Sequence, residues 1–268
     1  MLQDSKSFFI LMTLCLFAFS CNAPVAEREL SLLNKVYQYG TIQALLEGHY
    51  DAELSMADLK KHGDTGIGTF NALDGEMVVL NDTVFQVKSD GLVYIPSDSV
   101  LTPYATLVPF KADTILSVNG ALNYTDFQSL VDGILPSKNL FYAFRIDGIF
   151  NDLKVRSVPR QSPPYLPLDQ VVSGQTMFGF ESIEGTLVGF HFPEYTSQIS
   201  VPGYHFHFIS TDRQQGGHVL FFESMTAEMQ LDIISGMDLE LPTSEAFKNL
   251  DLTKDREEAL EKVEKLTN

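Results

Sequence analysis

The chain has 268 residues, 44% hydrophobic and 20% charged, with a formal net charge of −17 from 18 basic and 35 acidic side chains. That length allows one large domain or two small ones around a sizeable core, and the composition is too apolar for a disordered protein. The acidic balance argues against nucleic acid as a partner and against electrostatic binding to an anionic membrane.

Residues 1–21 read as a leader. The apolar run 8–20 has signal-peptide length and is too short for a comfortable membrane span. It ends Ala18-Phe19-Ser20-Cys21, which resembles a lipoprotein cleavage box. The expectation is an exported protein, membrane-anchored through lipid on Cys21 or else periplasmic or secreted. Both cysteines, Cys15 and Cys21, lie in this stretch, so cleavage before Cys21 leaves no disulfide in the mature fold. A metal site must then use histidines and carboxylates.

After a polar linker, residues 36–48 read as a strand and turn leading to a short amphipathic piece. Ser55 is placed as the N-cap of a helix, with Asp58 three residues on and Gly63 as the stop. Residues 77–80 and 84–87 flank Asn81-Asp-Thr as a hairpin. Strands are expected over 106–111 and 139–146, with a helix at 125–131 capped by Thr125. Pro159, Pro163, Pro164 and Pro167 exclude a helix interior or central strand. The domain division is set there: an N-terminal mixed α/β domain over 22–162 and a C-terminal β-rich domain over 163–268. The second half reads as strands at 175–182, 186–192, 204–210, 218–223 and around 227–231. A charged helix follows over 253–266, with Leu260, Val263 and Leu266 on its apolar side. The fold class is mixed, strand-rich α+β.

The informative constellation is Tyr204-His-Phe-His-Phe-Ile-Ser210, a turn, and His218-Val-Leu-Phe-Phe-Glu223. Alternation along a strand points His205 and His207 the same way, with Tyr204, Phe206 and Phe208 opposite. A hairpin return carries His218 beside them. Three imidazoles on a rigid hairpin make a tripod for a divalent cation with a further position open. Zinc is the default; nickel, cobalt, iron and manganese suit the same ligand type. His49, His62 and His191 are isolated and read as structural or surface residues.

Several blocks together resemble the acetolactate decarboxylase family. They are Asp58-Leu-Lys-Lys-His-Gly-Asp64, the glycine-punctuated stretch from Gly66 through Leu73-Asp-Gly-Glu-Met77, and Val155-Arg-Ser-Val-Pro-Arg-Gln161. Gly185-Thr-Leu-Val-Gly-Phe-His-Phe-Pro193 and Pro202-Gly-Tyr-His-Phe-His-Phe208, followed by Gly217-His-Val-Leu220, complete the set. Ser157 departs from the expected threonine. The resemblance implies two sheet-containing domains with a metal site between them, and a homodimer. It implies zinc on His205, His207 and His218, catalytic roles for Glu76, Arg156 and Glu264, and a pocket lined by Thr69 and Leu73. Read from the residues alone, Glu76 is a turn carboxylate after Gly75. Glu264 lies on an exposed helix face among Glu257, Glu258 and Glu261, and Arg160 rivals Arg156.

The implied reaction is decarboxylation of 2-acetolactate to acetoin. A cation chelating the ketone and hydroxyl oxygens stabilises the enediolate left by carbon dioxide. The alternative is a surface lipoprotein that binds zinc without turnover. A zinc hydrolase is disfavoured, because no H-E-x-x-H is present.

Overall fold

In the computed structural model, residues 35–120 and 122–264 are described. The leader, both cysteines and Leu266 lie outside them. The strands are β1 (Lys35–Tyr39), β2 (Leu54–Ser55), β3 (Thr65–Thr69), β4 (Glu76–Leu80), β5 (Thr83–Val87), β6 (Val93–Tyr94), β7 (Leu101–Thr102), β8 (Ala105–Val108), β9 (Thr114–Gly120), β10 (Phe141–Ser157), β11 (Thr176–Phe192), β12 (Gly203–Ser210), β13 (Gly216–Phe221), β14 (Ser224–Ile234) and β15 (Gly236–Glu240). The α-helices are α1 (Ile42–Leu46), α2 (Met56–Leu59), α3 (Tyr124–Ile134), α4 (Leu168–Val171), α5 (Glu245–Lys248) and α6 (Glu257–Glu264).

Two large sheets result. The first has the order β15-β1-β8-β3-β4-β5-β6 and the second β11-β12-β13-β10-β14-β9. In the second, β10 also pairs along its length with β11, so β10, β11, β12 and β13 close into a ring. The strand β10 changes neighbour on one edge. It pairs with β14 up to Asn151 and with β13 from Lys154. Asp152 between them is left-handed, at φ 46°, and the register shifts at Lys154/Val155. This is a bulge that bends the strand and lets the ring close.

The interior of the second sheet is aromatic. Phe144, Phe150, Phe206, Phe208 and Phe222 are fully buried there, with Phe127 of α3 packed against them. A second cluster joins the two sheets. Val36, Ile67, Val78 and Phe85 from the first meet Val188, Phe190 and Ile209 from the second. All five residues of β4 are buried, because Val78 and Leu80 face the second sheet while Met77 and Val79 face the cluster around α2. The alternation of β4 thereby aims Glu76 the same way as Val78, toward the second sheet.

Several expectations hold. Ser55 caps α2, its Oγ accepting from the Asp58 backbone N–H at 3.1 Å. The 76–87 hairpin turns on Asn81 and Asp82, both left-handed (φ 50° and 62°), as a two-residue turn of the primed type needs. Others are corrected. The cap of α3 is Asn123, whose Oδ1 accepts from Asp126 N–H at 2.9 Å; Thr125 sits inside the helix with its side chain exposed.

The strands expected at 175–182 and 186–192 are one strand of 17 residues, and the one expected at 139–146 runs to Ser157. Gly148 and Gly185 face each other across the β10–β11 ladder. A Cβ on Gly185 would lie 2.4 Å from the Ile209 carbonyl oxygen, and one on Gly148 equally close to that of Thr226. These glycines permit close packing rather than a turn. The division at 162/163 does not separate the sheets either. The described residues all fall in a single compact unit. The second sheet takes β9 and β10 from before the prolines, and the first takes β15 from after them.

Candidate active site

The site forms where the head of β4 meets the ring. Three residues stand in a row across neighbouring strands: Arg156 of β10 is opposite His218 of β13, which is opposite His207 of β12. His205 precedes His207 by two residues and shares its face. The tripod expected from the hairpin is therefore present, and each histidine offers one ring nitrogen within 4.8 Å of the others.

Hydrogen bonds fix the rings. His207 Nδ1 lies 2.7 Å from the Met77 carbonyl oxygen, which only accepts, so Nδ1 carries the proton and donates. In the neutral ring this leaves Nε2 with its lone pair, 3.5 Å from Glu76 Oε2. His205 Nε2 and His218 Nδ1 are 3.1 Å apart. His218 Nε2 is buried without a hydrogen-bond partner among the described residues, 3.5 Å from Glu264 Oε2. Burial is the largest influence holding all three imidazoles neutral: His205 is pushed down to about 3, and His207 and His218 lie well below their ordinary value. The Arg156 charge acts in the same direction. Neutral imidazoles, with the His207 tautomer set by Met77, and a convergent, partly unpartnered set of nitrogens suit a divalent cation.

Carboxylates flank this set. Arg156 is buried. Its Nη1 donates to Glu76 Oε1 at 2.9 Å and its Nη2 to the Val263 carbonyl at 3.2 Å. Its Nε is buried with no partner among the described residues. Glu264, in the last turn of α6, reaches within 3.8 Å of His205 Nε2. Burial pushes the carboxyl groups of Glu76 and Glu264 up to about 7, although Arg156 pulls both down. Each can thus hold or release a proton near neutrality.

Thr69 and Leu73 complete the neighbourhood. Thr69 stands opposite Glu76 in the β3–β4 ladder, and its hydroxyl donates to the Gly75 carbonyl at 2.8 Å. Ala72 and Leu73 are both left-handed (φ 62° and 56°), a costly conformation for side chains with a Cβ. Backbone hydrogen bonds from Ala72 to Tyr50 and from Gln161 to Ala72, both 2.8 Å, hold this turn directly before Glu76.

All eight residues expected at the site thus lie on the elements that border it. The other histidines do not join. His62 stacks on Tyr37, His49 packs edge-on to Phe247, and His191 lies against Tyr204. Two participants escaped the sequence reading, the carbonyls of Met77 and Val263. They act through backbone, so no side-chain identity signals them.

A family model described as "Alpha-acetolactate decarboxylase" matches residues 36–254. The chain is 49% identical over 230 residues to the alpha-acetolactate decarboxylase of Methanosarcina mazei, covering 86% of this chain and 80% of that one. It is 40% identical over 222 residues to that of Bacillus licheniformis, covering 83% and 88%. Among solved structures it matches the alpha-acetolactate decarboxylase of Bacillus subtilis strain 168 with a TM-score of 0.85 and 35% identity, over 87% of this chain and all of that one. The family model stops ten residues short of Glu264, so that residue is placed by geometry.

Proposed function

Because the chain belongs to the alpha-acetolactate decarboxylase family and is a decarboxylase of that kind, we propose that it turns 2-acetolactate into acetoin with zinc held by His205, His207 and His218. The observation that carries this reading is the convergence of three neutral imidazoles, His207 and His218 buried and His205 nearly so, with Glu76, Arg156 and Glu264. When bound, the metal would supply Lewis acidity at the substrate ketone and hydroxyl oxygens; the electron pair left by carbon dioxide is delocalised onto the ketone oxygen.

The remaining work falls to the chain. Arg156 is held by two acceptors, and its buried Nε–H has no partner among the described residues. Its guanidinium suits the substrate carboxylate before the C–C bond breaks and the developing negative charge afterwards. Glu76 and Glu264 stand on either side of the imidazoles, each able to be protonated near neutrality. One of them returns a proton to the reacting carbon after carbon dioxide leaves. Thr69 and Leu73 line the substrate end and help exclude water. The binding-only alternative leaves Arg156, Glu76 and Glu264 without a task, and the relatives are decarboxylases by name.

Acetoin formation from racemic acetolactate, with zinc and after chelation, tests this reading. Zinc-dependent acetoin release is expected, with zinc near one per chain by elemental analysis. No acetoin from the zinc-loaded protein would overturn it.

Two further expectations belong to the same proposal. The leader directs export, with Cys21 as the lipid attachment point, on the strength of the apolar run and the residues before Cys21. Mass spectrometry of the mature N-terminus checks it, and an unprocessed Met1 in the native host refutes it. A homodimer follows from the family resemblance, and sedimentation equilibrium measures it.

A further inference from the structure

The segment leading into α6 is tied down by ionic groups that the reaction does not use. Glu47, which follows α1, receives two cations. Its Oε2 lies 2.5 Å from Lys254 Nζ and its Oε1 lies 2.7 Å from Arg256 Nε. Arg256 Nη2 also donates to the Leu46 carbonyl at 3.2 Å and stands 3.8 Å from Asp169 of α4. Gln43 of α1 donates to the Lys254 carbonyl at 2.7 Å. Glu47 and Arg256 are only 10% and 22% exposed at their side chains, so solvent screens this pair less than a surface pair. Past Arg256 the helix runs for eight residues, about 12 Å, and at its far end presents the Val263 carbonyl to Arg156 and Glu264 to the histidines. Leu260 N–H donates to the Arg256 carbonyl at 2.9 Å, so the clamp is continuous with the helix's own ladder.

We propose that Arg256, through Glu47, is a positioning residue for decarboxylation: it fixes the foot of α6 and so sets the place of Glu264 at the metal-ligand cluster. This rests on the reading of Glu264 as a catalytic group. The hydrophobic side of α6 alone leaves freedom to slide. Leu260 and Val263 pack into a cluster with Leu46, Leu168 and Val201, and apolar contact is non-directional. The guanidinium supplies direction, because its Nη2 hydrogen-bonds the Leu46 carbonyl at the end of α1 while its Nε lies in ion-pair contact with Glu47 just beyond. A displacement of a reacting group by about 1 Å costs on the order of 10²-fold in rate.

The test is a kinetic double-mutant cycle on the zinc-loaded, full-length enzyme, with zinc content measured for each variant. Arg256→Met should lower kcat about 10-fold, with KM within about twofold and zinc unchanged. Arg256→Lys should recover part of that loss. In a Glu264→Gln background the same Arg256→Met change should add less than about twofold, because the group being positioned is already disabled. Hydrogen exchange should quicken in the α6 amides and not in β12 or β13. If Arg256→Met fails to fold, Glu47→Gln breaks the same contact from the other side and carries the same expectations. Parental kcat in Arg256→Met, or losses that multiply in the double variant, would overturn the clamp and leave Glu264 catalytic. Parental activity in Glu264→Gln alone would instead remove the reading beneath it, and the clamp with it.

Discussion

At Glu76, burial and the guanidinium of Arg156 pull the carboxyl in opposite directions, and burial prevails. Replacing it by glutamine keeps the shape and removes the proton exchange. Glu76→Gln should retain zinc and lose about 10²- to 10⁴-fold in turnover, read from acetoin release and elemental analysis together. A drop in zinc matching the drop in rate would make Glu76 a ligand support instead. A second carboxyl, far from this chemistry, gives a pH signature. Asp232 of β14 accepts from the Lys111 backbone N–H at 3.1 Å and is pushed up to about 6 by burial, with Asp113 and Asp64 adding to the rise. Its folded value lies above its unfolded one. Its stabilising contribution is therefore full below about pH 4 and lost as pH rises through about 6. Asp232→Asn should compare better with the parent at pH 7 than at pH 4 in thermal unfolding. An equal difference at both would refute the assignment. The site residues were unevenly legible in the sequence. The histidines announced themselves by spacing and alternation, which are backbone properties. Glu76 and Glu264 did not, since what distinguishes them from other acidic residues is the burial that tertiary packing confers. Family blocks, not pattern, brought them forward.

Among the elements, the hairpin and capped turn of 55–87 were readable because their determinants are local: a serine before a helix, and two turn residues able to take positive φ. The long strands were not. Gly148 and Gly185 look like punctuation in one dimension and become close-contact points once β10 lies against β11. Gly185→Ala should cost roughly 1–3 kcal/mol or more in denaturant unfolding, because its Cβ meets a carbonyl that cannot swing aside. A turn glycine with negative φ would tolerate the change. The cap of α3 offers a paired comparison. Asn123→Ala should lose about 0.5–2 kcal/mol, while Thr125→Ala should stay within about 0.5 kcal/mol. The reverse ranking would restore Thr125 as the cap.

For the molecule as a whole, the aromatic interior of the ring backs the strands that carry the three histidines. Phe206 stands between His205 and His207 in the chain and points the other way, fully buried. Phe206→Ala should cost about 3–5 kcal/mol and release zinc together with stability, as seen in a melt with and without metal. Unchanged zinc affinity in the folded variant would show that the histidines do not need that backing. The same architecture has a consequence in time. The three histidines all lie before residue 219, whereas Glu264 and the carbonyl that steadies Arg156 come from the final described turn of chain. Synthesis proceeds from the N-terminus, and domains fold as their sequence emerges. A growing chain that has just completed β15 thus carries the three imidazoles, Glu76 and Arg156 before it has Glu264 or the Val263 carbonyl. On the function proposed above, metal binding needs only residues up to His218, and α6 completes the site afterwards.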